Sequence, residues 1–225
     1  MNTKLVVFDI AGTTIQDDGN VGAAFLYAMK SKGFDIPAAE VHKVMGYKKV
    51  LAIKMLLDAH FPDHGQREDE LIDDIHILFV NRMIDHYKTT PALKPQANAE
   101  EIFSWLRDKG VKVALNTGFT KEITDTILER LNWKGHVDEF ISSDEVEAGR
   151  PQPFMIRELM QRLSVTDASE VIKVGDTEVD VEEGRNAGCG KVISVTTGAY
   201  TRNELEQYQP DYIIDNLDNL RTIID

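Results

Sequence analysis

The stretch Leu5-Val6-Val7-Phe8-Asp9-Ile10-Ala11-Gly12-Thr13-Thr14 constrains this chain more tightly than any other. Its first four residues form an apolar run of the kind that a strand covered on both faces requires. The run ends on a carboxylate, and a glycine and two hydroxyls follow closely. In open α/β sheets, ligands collect beyond the carboxyl ends of the strands, which puts Asp9 where a site is expected. Taken alone, an aspartate after a strand reads as well as the cap of a turn or helix.

Later stretches repeat the pattern. Val113-Ala114-Leu115-Asn116-Thr117-Gly118 is again an apolar run closing on a hydroxyl and a glycine. Val171-Ile172-Lys173-Val174-Gly175-Asp176-Thr177-Glu178-Val179-Asp180 is a strand followed by two carboxylates four apart. From Ala97 onward the signals alternate. Helices are expected over 97–109, 120–131, 153–163 and 178–187. Strands are expected over 111–116, near 140–141, over 171–174 and over 192–195, with a weak strand at 212–214 and a closing helix from Asn216. This rhythm predicts an α/β fold: a doubly wound, Rossmann-like parallel sheet with helices on both faces.

Residues 17–88 break the rhythm. The polar stretch Gln16-Asp17-Asp18-Gly19-Asn20 reads as a linker leaving the first strand. Val21, Ala24, Phe25, Ala28 and Met29 then recur at helical spacing until Gly33. Pro37 opens a short helix to about Val44, and Met45-Gly46-Tyr47 is a turn. Val50, Ile53, Met55, Leu56 and Leu57 mark a third helix, broken at Phe61-Pro62-Asp63-His64-Gly65. A long helix follows from Glu68 to Lys88. The expected division is a core of residues 1–16 and 89–225 and an inserted α-helical cap of residues 17–88.

A net charge of −13 argues against nucleic acid or an anionic membrane surface as a partner. It does not exclude an anionic substrate, because a local cation or a metal sets the field within a site. No apolar run approaches the ~18 residues of a membrane span and no leader precedes the first strand, so a cytoplasmic location is expected. Cys189 has no partner for an internal disulfide, suits a reducing compartment and reads as structural. His60 and His64 are four apart, but the intervening Pro62 argues against a zinc pair on one helical face.

Asp176 and Asp180 read alone as a helix N-terminal charge pair, and Arg150, in Ala148-Gly149-Arg150-Pro151-Gln152-Pro153, reads alone as a surface residue. Taken in order with the Asp9 and Thr117 stretches, these segments resemble the four motifs of the haloacid dehalogenase superfamily. That resemblance implies a hydrolase in which Asp9 is the nucleophile and forms an aspartyl-phosphate. It implies Mg²⁺ held by Asp9, the carbonyl of Ala11, and Asp176, with Asp180 as a further ligand or the holder of a metal-bound water. Thr117 and nearby amides would hold phosphoryl oxygens, Arg150 would neutralise charge developing on the transferring group, and Thr13, Gly118, Phe119 and Gly46 would line the substrate.

Most phosphatases of the superfamily carry an acid–base aspartate two residues after the nucleophile; here that residue is Ala11. General acid–base catalysis typically contributes about 10²–10⁴-fold, so an alkoxide leaving group would suffer from its loss. The phosphonatase branch shares this alanine, and Met45-Gly46-Tyr47-Lys48-Lys49 is similar to its cap segment. There a lysine at the position of Lys49 forms a Schiff base with a phosphonoaldehyde. A protonated imine delocalises the carbanion left by C–P cleavage, so no acid at position 11 is needed. Two features depart from that branch: its cap histidine is Ala52 here, and its early-cap cysteine has no counterpart in Gly19-Asn20-Val21. A Schiff-base lysine must be partly neutral, and Lys48, Lys43 or burial could depress its pKa. Otherwise Lys49 is a solvated cap residue or an anion binder, and the enzyme is a phosphatase of small phosphate esters or anhydrides, as in phosphoglycolate phosphatases. The partner expected is a small phosphonate or phosphorylated substrate. A homodimer through the cap would be allowed by the apolar Phe25 and Met29.

Overall fold

The computed structural model describes residues 2–62 and 68–224. Six parallel strands form one sheet: β1 (Leu5–Phe8), β2 (Lys112–Thr117), β3 (Glu139–Ser142), β4 (Val171–Gly175), β5 (Lys191–Val195) and β6 (Tyr212–Ile214). Their spatial order is β3-β2-β1-β4-β5-β6. All four residues of β1 are buried. Their side chains alternate between two apolar clusters: Val6 and Phe8 join one, Leu5 and Val7 the other. That is the period-two signature of a strand covered on both faces, and it explains why the run carries no polar residue.

The chain fills one side of β1 with β2 and β3, then crosses to the other side for β4, β5 and β6. The switch lies between β1 and β4, where an open α/β sheet leaves a crevice at its carboxyl edge. Phe8 is level with Leu115 on one side and Val174 on the other. The residues that follow these three therefore emerge together at that edge.

Between β1 and β2 lie α1 (Asn20–Ser31), α2 (Ala38–His42), α3 (Lys49–His60), α4 (Glu68–Thr89) and α5 (Ala99–Asp108). Asp17 does more than link: its carboxylate accepts the amides of Asn20 and Val21 and caps α1. The stretch 63–67, with His64, lies outside the described residues, and His60 pairs with Glu40 at 3.3 Å. After β2 come α6 (Lys121–Arg130), α7 (Phe154–Arg162), α8 (Glu178–Ala187) and α9 (Arg202–Gln207). The helix α9 has no apolar periodicity to announce it; a capping box between Thr201 and Glu204 starts it. The closing segment is a 3₁₀ helix over Leu217–Thr222 rather than an α-helix.

The helices α1–α4 share their apolar interior with the sheet. Phe25 of α1 packs on Phe79 of α4, with ring centroids 4.6 Å apart, and Phe79 and Tyr87 reach Phe119 beyond β2. One continuous cluster results. Phe25 and Met29 are fully buried in it, so they offer no surface for a dimer. Among the described residues no helix is long and apolar enough to cross a membrane.

Candidate active site

Asp9 leaves β1 with its amide bonded to the carbonyl of Val174, which fixes it at the switch point. Arg150, wholly buried, reaches it from the loop before α7. One guanidinium nitrogen donates to Asp9 Oδ1 at 2.6 Å and to the Asn116 carbonyl at 3.2 Å. The other donates to Asp180 Oδ1 at 2.5 Å. Asp180 stands at the third position of α8, and its second oxygen accepts the Thr177 amide and hydroxyl, closing a capping box.

Behind this pair lies a layer that sequence reasoning did not single out. Lys173, in the middle of β4, has its ammonium 3.0 Å from Asp180 Oδ1 and 3.1 Å from Glu183 Oε2, and it donates to Asn116 Oδ1 at 2.6 Å. The Asn116 amide in turn donates to both oxygens of Glu183 at 2.9 Å. Lys173, Glu183 and Asn116 are all fully buried. A lysine inside an otherwise apolar strand was the available signal, since a buried ammonium requires carboxylate partners.

The carboxylates respond differently to burial. At Asp180, burial pushes the pKa up, but Arg150 and Lys173 outweigh it and hold the group below the usual carboxylate range. Asp9 is raised, because burial there exceeds the pull of Arg150. Asp176 is raised well above its ordinary value, first by burial and then by repulsion from Asp9 and Asp180. Among the described residues its oxygens accept only from neutral donors, the Thr13 hydroxyl at 3.0 Å and the Ala199 amide at 2.6 Å.

Asp9 and Asp176 repel one another, among the described residues no side chain pairs with both, and Ala11 lines the same small space; two carboxylates and a backbone carbonyl there would be a hard-oxygen donor set that fits Mg²⁺. Asp180 fits that role less well, since both its oxygens are already engaged by Arg150, Lys173 and Thr177. Among the described residues no three His, Cys, Asp or Glu side chains converge as a ready-made metal cage. A set of two carboxylates and a carbonyl would suit an ion that keeps most of its waters.

The helical segment closes over these groups. Lys49, at the start of α3, is 4% exposed. Its ammonium donates to the Tyr47 carbonyl at 3.2 Å and lies 5.1 Å from the Phe119 ring centroid and 5.6 Å from that of Phe25. Among the described residues no carboxylate comes within ion-pair distance of it. Burial first, then the charge of Arg150, push its pKa down to about 8 against the pull of Asp9, Asp17 and Asp176. Lys48 and Lys43 are not the main source of the shift. A Cβ on Gly118 would stand 2.5 Å from the Tyr47 carbonyl and 2.7 Å from that of Gly46. Gly46 itself, at φ 84°, presses on Thr177 and Val179. The space left between Asp9, Lys49, Thr117 and Asp176 is about 20 Å³, room for about one water.

The structure thus brings Asp9, Ala11, Gly46, Lys49, Thr117, Gly118, Phe119 and Asp176 around one small cavity. Thr13 meets it only through Asp176. The Thr117 hydroxyl accepts the Phe119 amide at 3.2 Å. Ala52, where a histidine was expected by resemblance, is buried in α3. Cys189 lies elsewhere, its thiol pushed up to about 12 by burial, which leaves it unreactive.

A family profile of haloacid dehalogenase-like hydrolases matches residues 3–188. The phosphonoacetaldehyde hydrolase of Bacillus mycoides (strain KBAB4) is 32% identical over 230 residues, covering 93% of this chain and 83% of that protein. A hydrolase from Pseudomonas syringae superposes with a TM-score of 0.87 at 18% identity, over 98% of both chains. A phosphonoacetaldehyde hydrolase-like protein from Oleispira antarctica gives 0.82 at 23% identity, over 100% of this chain and 92% of its own.

Proposed function

The chain belongs to the haloacid dehalogenase-like hydrolases, and from that premise we propose that it cleaves the C–P bond of a small phosphonoaldehyde such as phosphonoacetaldehyde. The observation that carries this reading is Lys49. Its amine is buried between two aromatic rings, bonded to a backbone carbonyl, and lines the same space as Asp9. A lysine meant only to bind an anion gains from staying charged, whereas burial here lowers its pKa to about 8 and brings the neutral amine within easy reach. A neutral amine is what attacks an aldehyde.

In this reading Lys49 Nζ adds to the substrate carbonyl and water leaves, giving a protonated imine. The Asp9 carboxylate then attacks phosphorus in line. The C–P electron pair flows into the iminium to give an enamine, so Ala11 has no proton to supply. Protonation of the enamine and hydrolysis of the imine release the aldehyde product and regenerate Lys49. Water cleaves the aspartyl-phosphate. Arg150 holds Asp9 on its line of attack and faces the phosphoryl oxygens, and Asp180 with Lys173 and Glu183 fixes Arg150. Asp9, Asp176 and the Ala11 carbonyl would hold Mg²⁺, which when bound supplies the positive charge that lets a carboxylate approach a phosphonate dianion. The helices over 17–88 act as a cap that opens to admit substrate and closes to exclude bulk water.

The test is an intact-mass experiment with Mg²⁺ and phosphonoacetaldehyde, with and without borohydride, on wild type and Lys49→Arg. The wild type is expected to gain the mass of a reduced imine and lose activity with borohydride, and Lys49→Arg to gain no adduct and to be inactive from the start. Absence of an adduct together with phosphate release from small phosphate esters would replace this reading with that of a phosphatase in which Lys49 binds an anion.

A further inference from the structure

The closed site leaves about 20 Å³ around the reacting groups, yet a cavity of about 440 Å³ opens directly beside it. The two share Met45, which forms a wall of each. The larger one lies between α1, α2 and the 198–199 loop, and small residues create its room: Gly22 and Ala23 on α1 and Ala38 on α2. Leu26 and Met45 supply apolar surface, and Asp17 supplies the carboxylate. Asp17 is held there by the amides of Asn20 and Val21, and Val21 is itself a wall of the smaller cavity. The 198–199 loop is tied to the catalytic edge, since Ala199 donates to Asp176 at 2.6 Å and the neighbouring Thr197 hydroxyl to the Gly12 carbonyl at 2.8 Å.

A two-carbon phosphonoaldehyde places phosphorus at Asp9 and its carbonyl carbon at Lys49, and it has no atoms left to reach beyond Met45. From this we infer that the cavity walled by Gly22, Ala23, Leu26, Ala38 and Met45 is a substrate subsite for a substituent beyond the carbonyl, and that the chain acts on 2-oxoalkylphosphonates. In such a ketone the P–CH₂–C(=O) unit is unchanged and an alkyl group replaces the aldehyde hydrogen. The inference rests on the phosphonate reading above and adds the substrate class. The chemistry balances as for the aldehyde. Lys49 and the ketone form a ketiminium and water, and the C–P bond breaks with its electron pair passing to the enamine. The phosphoryl group joins Asp9, and protonation of the enamine followed by hydrolysis of the imine yields a methyl ketone. The charge in the wall sets a limit: Asp17 is acidic, and the one basic lining residue, His42, is already bonded to Glu204 at 3.0 Å, so a carboxylate on the substituent is disfavoured and 3-phosphonopyruvate should be excluded where the alkyl ketones are accepted. Met45, unbranched and with several rotatable bonds, suits a divider that moves to let the substituent pass.

The test measures phosphate release from phosphonoacetaldehyde, 2-oxopropylphosphonate, 2-oxobutylphosphonate and 3-phosphonopyruvate by wild type, Ala23→Phe and Ala38→Phe. Both alanines are exposed positions, so a phenylalanine there leaves the core intact; a thermal melt of each variant checks this. The wild type is expected to process 2-oxobutylphosphonate at least as efficiently as the two-carbon aldehyde and to leave 3-phosphonopyruvate alone. Either phenylalanine is expected to lower the ketone-to-aldehyde ratio of kcat/KM about tenfold or more, the usual scale for a change in apolar pocket filling. Turnover of the aldehyde but not of either ketone would overturn this inference and leave the phosphonate reading standing, with the cavity a mere passage. An undiminished ratio in both variants would also overturn it. No phosphate from the aldehyde or the ketones would overturn both.

Discussion

Replacing Lys49 by methionine should make the folded protein more stable at neutral pH while destroying its activity. The ammonium is buried with a carbonyl and two aromatic rings for company, and its pKa stands at about 8 instead of 10.5. Below pH 8 the lysine is protonated both folded and unfolded, so the full penalty of burying the charge applies, about 3 kcal/mol for a drop of this size. Between pH 8 and 10.5 the folded chain has released a proton that the unfolded chain still holds. Stability therefore rises with pH through that window, and above it the penalty is gone. A methionine fills a similar volume between Phe25 and Phe119 without the charge. It forfeits a cation–π attraction worth about 1 kcal/mol, which leaves a net gain of about 2 kcal/mol at pH 7. For a chain of this size that is a rise in Tm of about 4–8 °C. Urea unfolding of both proteins at pH 7 and pH 9.5 measures it, and the gain should fall to less than half at the higher pH. A variant less stable than wild type at pH 7, or a gain that does not change with pH, would refute the claim that Lys49 is held in an environment hostile to its charge.

Other consequences follow from the same contacts. Lys173→Met removes an ammonium lying within 3.1 Å of two buried carboxylates; urea unfolding should show a loss of about 3–5 kcal/mol, as for breaking a buried pair. Gly118→Ala puts a methyl 2.5 Å from the Tyr47 carbonyl; kcat should fall at least about tenfold through impaired closure, with Tm little changed. Titration calorimetry with Mg²⁺ should show that Asp176→Asn weakens binding far more than Asp180→Asn. The second variant should lower Tm instead, because Asp180 holds Arg150, Lys173 and the start of α8. Asp9→Asn should abolish phosphate release and the covalent phosphoenzyme seen by acid-quench mass analysis.

Strand runs and turn chemistry made the sheet readable. Leu5–Phe8 and Val171–Val174 are wholly apolar except for Lys173, and burial on both faces forces that composition. The carboxyl edge of the sheet was readable for the same reason, since a polar residue directly after such a run has little choice but to face the crevice. What escaped was set by three-dimensional partnership. Glu183 sits in a helix rich in acids, and only its side-chain bonds to Asn116 and Lys173 distinguish it from a solvated glutamate. Phe25 and Met29 looked equally suited to an outer face or an inner one, because helical periodicity reports one apolar stripe and not what covers it. Here α4 covers it. The short α9 rests on a capping box and a single buried Leu205, too little for a periodic signal.

The charges of the site separate by what each cation can do. Seven carboxylate, lysine or arginine side chains are buried among the described residues: Asp9, Asp176, Asp180 and Glu183, and Lys49, Arg150 and Lys173. An arginine stays charged in any protein environment, so Arg150 can be enclosed between Asp9 and Asp180 as a permanent counter-charge. Lys173, pressed among Asp180, Glu183 and the side-chain oxygen of Asn116, pairs with the carboxylates behind it. Lys49 is kept from such partners and becomes the group that can lose its proton. The four carboxylates outnumber the three cations by one, and by two whenever Lys49 gives up its proton. Arg150 and Lys173 are already committed to carboxylates, which leaves Asp9 and Asp176 as the place where a divalent cation would restore the balance. The acidity of the chain as a whole, −13, is thus concentrated again inside the site, where Asp176, among the described residues, bonds only to neutral donors and is raised by burial and by its neighbours Asp9 and Asp180.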